Sequence, residues 1–411
     1  MTPLEGVRVL AAEQMQALPY ATQLLTRLGA DVVKVEHPVH GESGRGAHPA
    51  MADPWGRPVG ATFLRNNLGK RAVGIDLKTD EGRELFLDLV PRFDVVAENF
   101  KAGTMDRLGL SYDVVSARHP GVIYVSVTGF GNQHPVDGAV SPYRDWPAYA
   151  SVVEAMSGVY DWARRPGEPP MPNPVGALGD ISSALFAVIG ILAAIYERER
   201  TGRGQQVDVA MLDAVMSMTD VVTNMWSLGV RPDNPFQLIL EAFAASDGYV
   251  VVQVVREHQF ARLAELVGHP EWLGDPRFAD RAGWVAHLED TIRPAVESWL
   301  ATRTRAEATA TLSAAGIAAG PCLTAPEVIA DDHVTARNML IAIERVDDVD
   351  EPVLVPGNPV KLSRLADPVE GPGSRVPWVG EHTDEVLRAE LGLDDDELAR
   401  LAAAGIITRA T

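Results

Sequence analysis

Residues 6–38, GVRVLAAEQMQALPYATQLLTRLGADVVKVEHP, decide the fold of this chain. RVLAA and DVVKVE are short apolar runs of the kind that form buried strands. Between them, residues 19–28 read as a helix that Gly29 terminates, so the order is strand, turn, helix, strand. A helix between two strands is the crossover that a parallel pair requires. The motif repeats outward as KRAVGIDL, the helical DEGRELFLDLVPRF, DVVAENF and, after VVSARHP, the strand VIYVSVTGFG. Such repetition predicts a doubly wound α/β domain with ligands at the carboxyl ends of its strands.

Further on, residues 176–204, GALGDISSALFAVIGILAAIYERERTGRG, place Asp180 between a glycine turn and a long uncharged run. Leu185, Val188, Ile189, Leu192 and Ile195 recur at spacings of three and four, which predicts a helix beginning near Ile181. Residues 181–196 are fewer than the ~20 that span a bilayer. The run then ends in ERER, so the helix is expected to be buried in a soluble protein. Asp180 is then either an N-cap, accepting from the orphan amides of the first turn, or a reagent, and on this segment alone the cap is the better reading. GQQVDVAMLDAVMSMTDVVTNMW suggests a strand feeding another helix. From about 235 to 319 the texture changes to a smaller unit, with a strand at GYVVVQVV and helices around EHQFARLAELVG and LEDTIRPAVESWLATRTRAEATATLSAAG. VLVPGNPVKLS and HTDEVLRAELGLDDDELARLAAAGII return to strand and helix.

Composition excludes several classes. A chain of 411 residues, 46% hydrophobic, buries a large core in two or three domains. Its 36 basic and 56 acidic residues leave a net charge of −20, which disfavours nucleic acid and anionic membrane as partners. A small anionic ligand held by local Lys and Arg is compatible with that field. MTPLEGVRVL carries no basic region followed by an apolar run, so no signal peptide is expected, and the lone Cys322 fits a reducing cytoplasm. AGIAAGPCLT gives Cys322 no adjacent base, so it reads as packing. AAEQMQALP after the first strand lacks the glycine fingerprint of NAD sites, LGKRA is not a Walker sequence, and no G-x-S-x-G occurs. His37 and His40 sit in a loop without companion ligands, and no metal site is expected. In ENFKAGTMDRLGL, the residues Asn99, Phe100, Lys101 and Arg107 follow a strand's carboxyl end, where a phosphorylated ligand would rest, although each cation can equally be solvated.

In order, PLEGVRVL with PYATQLLTRLGADVVKVE, GKRAVGIDLKTDEGRELF, DVVAENFKAGTMDRLGL, VIYVSVTGFG, GALGDISSALFAVIGILAAIYERERTGRGQQVDVAMLDA, AGIAAGPC, GNPVKLS and GEHTDEVLRAELG resemble the family III CoA-transferases. This CaiB/BaiF family includes formyl-CoA transferase, carnitine CoA-transferase and the 2-methylacyl-CoA racemases. The likeness runs from residue 3 to about 406. It implies an α/β fold with a Rossmann-like large domain built from both chain ends, a smaller α+β domain between them, and two subunits interlocked as rings in a homodimer. The expected division is 1–225 for the large domain, 226–325 for the small domain with its connecting segments, and 326–411 for the return.

The resemblance also implies an activity: transfer of CoA between an acyl-CoA thioester and a small carboxylic acid, with coenzyme A as the carried group and no metal. Asp180 of GALGD matches the family's nucleophile, with Gly176 and Gly179 letting backbone amides approach an oxyanion. The helix N-terminus is expected to keep Asp180 ionised. Gln16 falls where the family places a glutamine beside the acyl intermediate, here followed by Ala17 and Leu18. His37 takes a CoA-contact position often held by arginine, and Leu77, Lys78, Asn99, Phe100, Arg107 and Leu108 match adenine and phosphate contacts. The family's glycine-rich loop over the site has no counterpart, NPFQLILEAFAASDG standing in its region. Trp146, Tyr149 and Trp226 are candidates for an apolar acyl site or for core. Two alternatives remain. A 2-methylacyl-CoA racemase needs a histidine base about eight residues before Ser157 and Gly158, where Tyr149 stands; His134 is reached only by a long alignment shift. A CoA-binding homologue without turnover is the third reading.

Overall fold

The computed structural model describes residues 2–133, 138–164, 167–173, 176–231, 237–343, 345–365 and 375–409, with only the backbone of Val221. The chain forms two compact units, Met1–Met225 with Ala336–Thr411, and Trp226–Thr335.

In the first unit, β1 (Arg8–Ala12), α1 (Ala17–Arg27) and β2 (Asp31–Glu36) make the expected βαβ unit, with Val9 opposite Val32. A short hairpin, β3 (Ala50–Ala52) and β4 (Pro58–Gly60), and the one-turn helix α2 (Ala61–Asn66) follow. Then come β5 (Arg71–Ile75), α3 (Asp80–Leu89), β6 (Val95–Glu98), α4 (Thr104–Arg107), α5 (Tyr112–Arg118) and β7 (Ile123–Thr128). After these lie α6 (Ala150–Met156), α7 (Val159–Trp162), α8 (Leu178–Thr201), β8 (Gln206–Ala210) and α9 (Met211–Ser217).

The second unit carries the antiparallel strands β9 (Ile239–Ala245) and β10 (Gly248–Val254), then α10 (Glu257–Leu266), α11 (Arg281–Ala286), α12 (Arg293–Leu300) and α13 (Arg305–Ala314). β11 (Ala318–Pro321) joins β10, and α14 (Ala325–Ile329) is tied to α13 by an Arg305–Glu327 ion pair of 2.6 Å. After α15 (Asp332–Ala336), the chain adds β12 (Leu340–Ile343), β13 (Val353–Pro356), α16 (Thr383–Leu391), α17 (Asp395–Ala403) and β14 (Ile407–Thr408).

The main sheet has the order β14-β5-β2-β1-β6-β7-β8, parallel except for β14. The chain therefore leaves β1 on one side, reaches β5, and crosses to β6 on the other. That reversal opens a crevice at the carboxyl ends of β1 and β6, the place where doubly wound sheets bind ligands. Alternation along β1 sends Val9 and Ala11 into a core with α1, α6, α8 and α9, and Leu10 and Ala12 into a core with α3, α5, α16 and α17. Arg8 reaches Glu390 and Arg71 reaches Glu385, so ion pairs as well as β14 bind the late segment to the early strands.

The long helix departs from its sequence reading. α8 starts at Leu178, ahead of Ile181, and its buried stripe is Ser182, Ser183, Ala184, Ala187, Ile191, Ala194 and Ile195. Leu185, Phe186, Ile189 and Tyr196 face outward, Ile189 being 62% exposed. Small residues face the sheet because α8 lies very close to it: a Cβ on Gly190 would come within 2.6 Å of Val207. The helix is half covered in this chain rather than buried all round. Ala187→Leu, forcing three additional heavy atoms into a filled contact, is expected to lower unfolding free energy by about 1–3 kcal/mol in denaturant titration.

Candidate active site

Asp180 sits in the first turn of α8, and Gln16 precedes α1 at the carboxyl end of β1. Both line one cavity of about 310 Å³, together with Gln14, Met15, Asn99, Phe100, Lys101, Arg144, Trp146 and Tyr149. A second cavity, about 670 Å³, is lined by His37, Leu77, Lys78, Phe100 and Leu108. Gln14 and Phe100 border both spaces, so the two adjoin at the β1–β6 crevice. Arg107 stands at the second cavity's edge, donating 2.9 Å to Thr104, which lines it. Trp226 belongs to the second unit, where the Arg231 guanidinium lies 3.8 Å over its ring. His134 lies outside the described residues.

At Asp180 the helix end is outweighed by burial, although the carboxyl remains ionised at neutral pH. Ala177, not Asp180, holds the cap position, and no side chain caps the helix from there. The capping acceptor comes from α6: Glu154, buried, takes the Gly179 amide at 3.1 Å on one oxygen and the Tyr160 hydroxyl at 2.5 Å on the other. Among the described residues, none donates a hydrogen bond to the Asp180 carboxylate. Burial, reinforced by the negative charge of Glu154, pushes the Asp180 carboxyl up to about 6. The helix end favours the anion by about 0.3–1 kcal/mol. Raising an aspartate from its usual 4 to near 6 takes about 3 kcal/mol, so desolvation wins.

Gly179 also has a different part from the one read in sequence. Its amide is occupied by Glu154, and a Cβ there would meet Val153 at 2.7 Å and Ala150 at 3.1 Å. Glycine is needed because α6 crosses there in near contact.

The loop that carries Gln16 is held at successive peptides. Gln14 donates its amide to Asn99 Oδ1 and accepts from Asn99 Nδ2 through its carbonyl, both at 2.9 Å. Asn99 thus spends its amide on the backbone beside Gln16 and contributes to the site by shaping that turn. Met15 has φ of 60°, the left-handed region, at a cost on the order of 1–2 kcal/mol for a residue with a side chain. Its amide donates 2.9 Å to Glu42. Glu98 accepts the Phe100 amide at 2.9 Å, and its burial pushes its carboxyl up to about 7. His37 accepts from the amides of Val39 and His40 and stacks on the His40 ring. Among the described residues, no group of three or more His, Cys, Asp or Glu side chains is arranged to share a metal ion.

Sequence reading missed Glu154, Glu42 and Arg144. The one signal for Glu154 is an acid inside the apolar run SVVEAMSG.

A doubly wound α/β unit whose switch-point crevice sets a large cavity beside a half-buried carboxylate that accepts no hydrogen bond among the described residues defines a ligand-binding α/β protein with a candidate reactive acid. Comparison with known proteins makes this specific: residues 4–383 match CoA-transferase family III, and the chain belongs to that family of enzymes. The Chloroflexus aurantiacus succinyl-CoA–L-malate CoA-transferase beta subunit is 33% identical over 98% of each chain. The Streptomyces coelicolor formyl-CoA:oxalate CoA-transferase is 35% identical over 98% of this chain and 99% of its own. The crystal structure of a CaiB/BaiF family protein from Brucella suis superposes with a TM-score of 0.79 at 33% identity, over 95% of this chain and 99% of that one.

Two outcomes test the state of Asp180. Its folded value lies above its unfolded one, so ionising it opposes folding above about pH 6, and this penalty vanishes below about pH 4. Asp180→Asn is therefore expected to raise the thermal midpoint at pH 8 and leave it unchanged at pH 4. Glu154→Gln, which keeps an acceptor for Gly179 but removes the charge, is expected to shift the acid limb of the transfer rate to lower pH.

Proposed function

We propose that this chain moves CoA between an acyl-CoA thioester and a carboxylic acid, with Asp180 as the covalent relay. The observation that carries this reading is the unpaired Asp180 carboxylate in a cavity that adjoins the larger one. Adenosine and phosphates would occupy the cavity lined by His37, Leu77, Lys78, Phe100 and Leu108, near Arg107. Pantetheine would pass Gln14 and Phe100, delivering the thioester to Asp180 beside Gln16.

Asp180 attacks the thioester carbonyl, giving a mixed anhydride and CoA thiolate. The thiolate attacks the aspartyl carbonyl and releases the donor acid, leaving an aspartyl-CoA thioester. The acceptor carboxylate attacks that thioester, re-forming an anhydride and thiolate. Attack of the thiolate on the acceptor's acyl carbonyl yields the new acyl-CoA and free Asp180. Thioester and anhydride bonds are exchanged at every step, so no external energy source is required. A carboxyl titrating near 6 is ionised at neutral pH yet more basic than an ordinary aspartate, which strengthens it as a nucleophile.

Racemisation is the weaker reading, because Tyr149 rather than a histidine lines the Asp180 cavity. A homodimer is supported by the outward apolar residues Leu185, Phe186 and Ile189 of α8 with Val152 and Met156 of α6, a face a second copy would cover. The acidic composition speaks against nucleic acid and anionic membrane as partners, and the lone Cys322 fits a cytoplasmic enzyme working on acyl-CoA and a small acid.

The test pairs succinyl-, formyl- and acetyl-CoA donors with malate, mesaconate and oxalate acceptors, read by mass spectrometry. Asp180→Ala is expected to lose at least about a thousandfold in transfer while retaining CoA binding. Hydroxylamine should leave its mark on Asp180 alone in wild-type turnover mixtures. Transfer at an unchanged rate in Asp180→Ala, or α-deuteration of a 2-methylacyl-CoA in D₂O without an acceptor, would overturn the assignment.

A further inference from the structure

Behind the Gln16 loop lies a group of charges that the reaction above does not use. Glu13, Lys34 and Lys70 are fully buried, and Glu42 nearly so. Lys70 Nζ donates to Glu13 Oε1 at 2.7 Å, Thr22 Oγ1 at 2.7 Å, Pro19 O at 3.0 Å and Asn67 Oδ1 at 3.0 Å. Lys34 Nζ donates to the Glu13 carbonyl at 3.1 Å and lies 3.7 Å from Glu42 Oε1. Burial would raise the Glu13 carboxyl, but Lys70 and Lys34 hold it below its ordinary value. Two cations balance two anions, all removed from water at considerable desolvation cost.

The tetrad converges on the backbone that leads into Gln16. Lys34 takes the Glu13 carbonyl, and Glu42 Oε2 takes both the Met15 amide at 2.9 Å and the Gly44 amide at 2.5 Å. Asn99 clamps the intervening Gln14 peptide. Met15, the residue so gripped, is in the left-handed region that a side chain disfavours, and the next residue is Gln16, facing the Asp180 cavity. Strain that persists at such a place is held by its surroundings.

We propose that the tetrad Glu13–Lys34–Glu42–Lys70 is a positioning device for the transferase site, with Glu42 the positioning residue that holds Met15 left-handed and so aims Gln16 at Asp180. This rests on the reading of Asp180 and Gln16 as the reacting carboxylate and its neighbour. Glu42 acts through the Met15 amide, so an amide acceptor at its full reach matters more than its charge. Lys34 orients the Glu42 carboxylate while pinning the Glu13 carbonyl.

Two substitutions separate these contributions. Glu42→Gln keeps an acceptor at the same reach and removes the charge; Glu42→Asp keeps the charge and withdraws the acceptor. Exchange of ¹³C-labelled succinate into succinyl-CoA is the activity probe, and amide hydrogen exchange of the peptide covering residues 12–18 is the structural one. Glu42→Gln is expected to keep kcat within about fivefold, and Glu42→Asp to lose about 10- to 100-fold with faster exchange in that peptide. Glu42→Asp should cost nothing more in a Gln16→Ala background, and Met15→Gly should recover activity in the Glu42→Asp enzyme, since glycine adopts the left-handed conformation freely. Gln worse than Asp, or losses that multiply with Gln16→Ala, would overturn the proposal. An Asp180→Ala enzyme that still exchanges label would instead overturn the reading beneath it, whatever the Glu42 variants do.

Discussion

The candidate site depends on a half-buried carboxylate to which, among the described residues, no group donates. Beside Asp180, α6 and α8 meet at Gly179 too closely to accept a side chain there, a Cβ falling 2.7 Å from Val153. Glu154 satisfies the helix end from outside, occupying the amide that Asp180 would otherwise compete for. The same contact adds a second negative charge nearby, so one arrangement caps the helix and raises the basicity of Asp180. A side chain at 179 would have to displace Val153 and Ala150 of α6, the helix that supplies Glu154.

The neighbouring tetrad handles charge in the opposite way. There, Lys34 and Lys70 lie against Glu13 and Glu42, all four side chains being buried. Paired buried charges specify geometry, whereas an unpaired one stores reactivity. Gln16, which follows the Met15 peptide held by Glu42, lines the same cavity as Asp180. The doubly wound sheet brings them together because its strand order reverses beside β1.

Much of this was legible before any coordinates. Every parallel strand of the main sheet was recognised from apolar runs separated by helical patterns; of the residues matched to CoA contacts, His37, Leu77, Lys78, Phe100 and Leu108 line one cavity, whereas Asn99 lines the neighbouring one and Arg107 stands at the edge. The helix at 178–201 was placed nearly correctly, but its outward face was not. Leu185 and Ile189 sit at core spacing and still face away from the sheet, because serine and alanine allow the closer approach. The hairpin β3–β4 was not foreseen either, being too short for its alternation to register.

Sequence by itself determined the strand order's raw material, the crossovers and the presence of an acid at the start of a long apolar helix, since these follow from local periodicity and turn chemistry. Only the tertiary structure decided that this acid is not a cap, that Glu154 is, and that Lys34 and Glu42 govern the Met15 backbone. The physical reason is range: side-chain spacing dictates which way a residue faces its own element, but the dielectric and the partners around a charge are set by whichever distant segments exclude water from it.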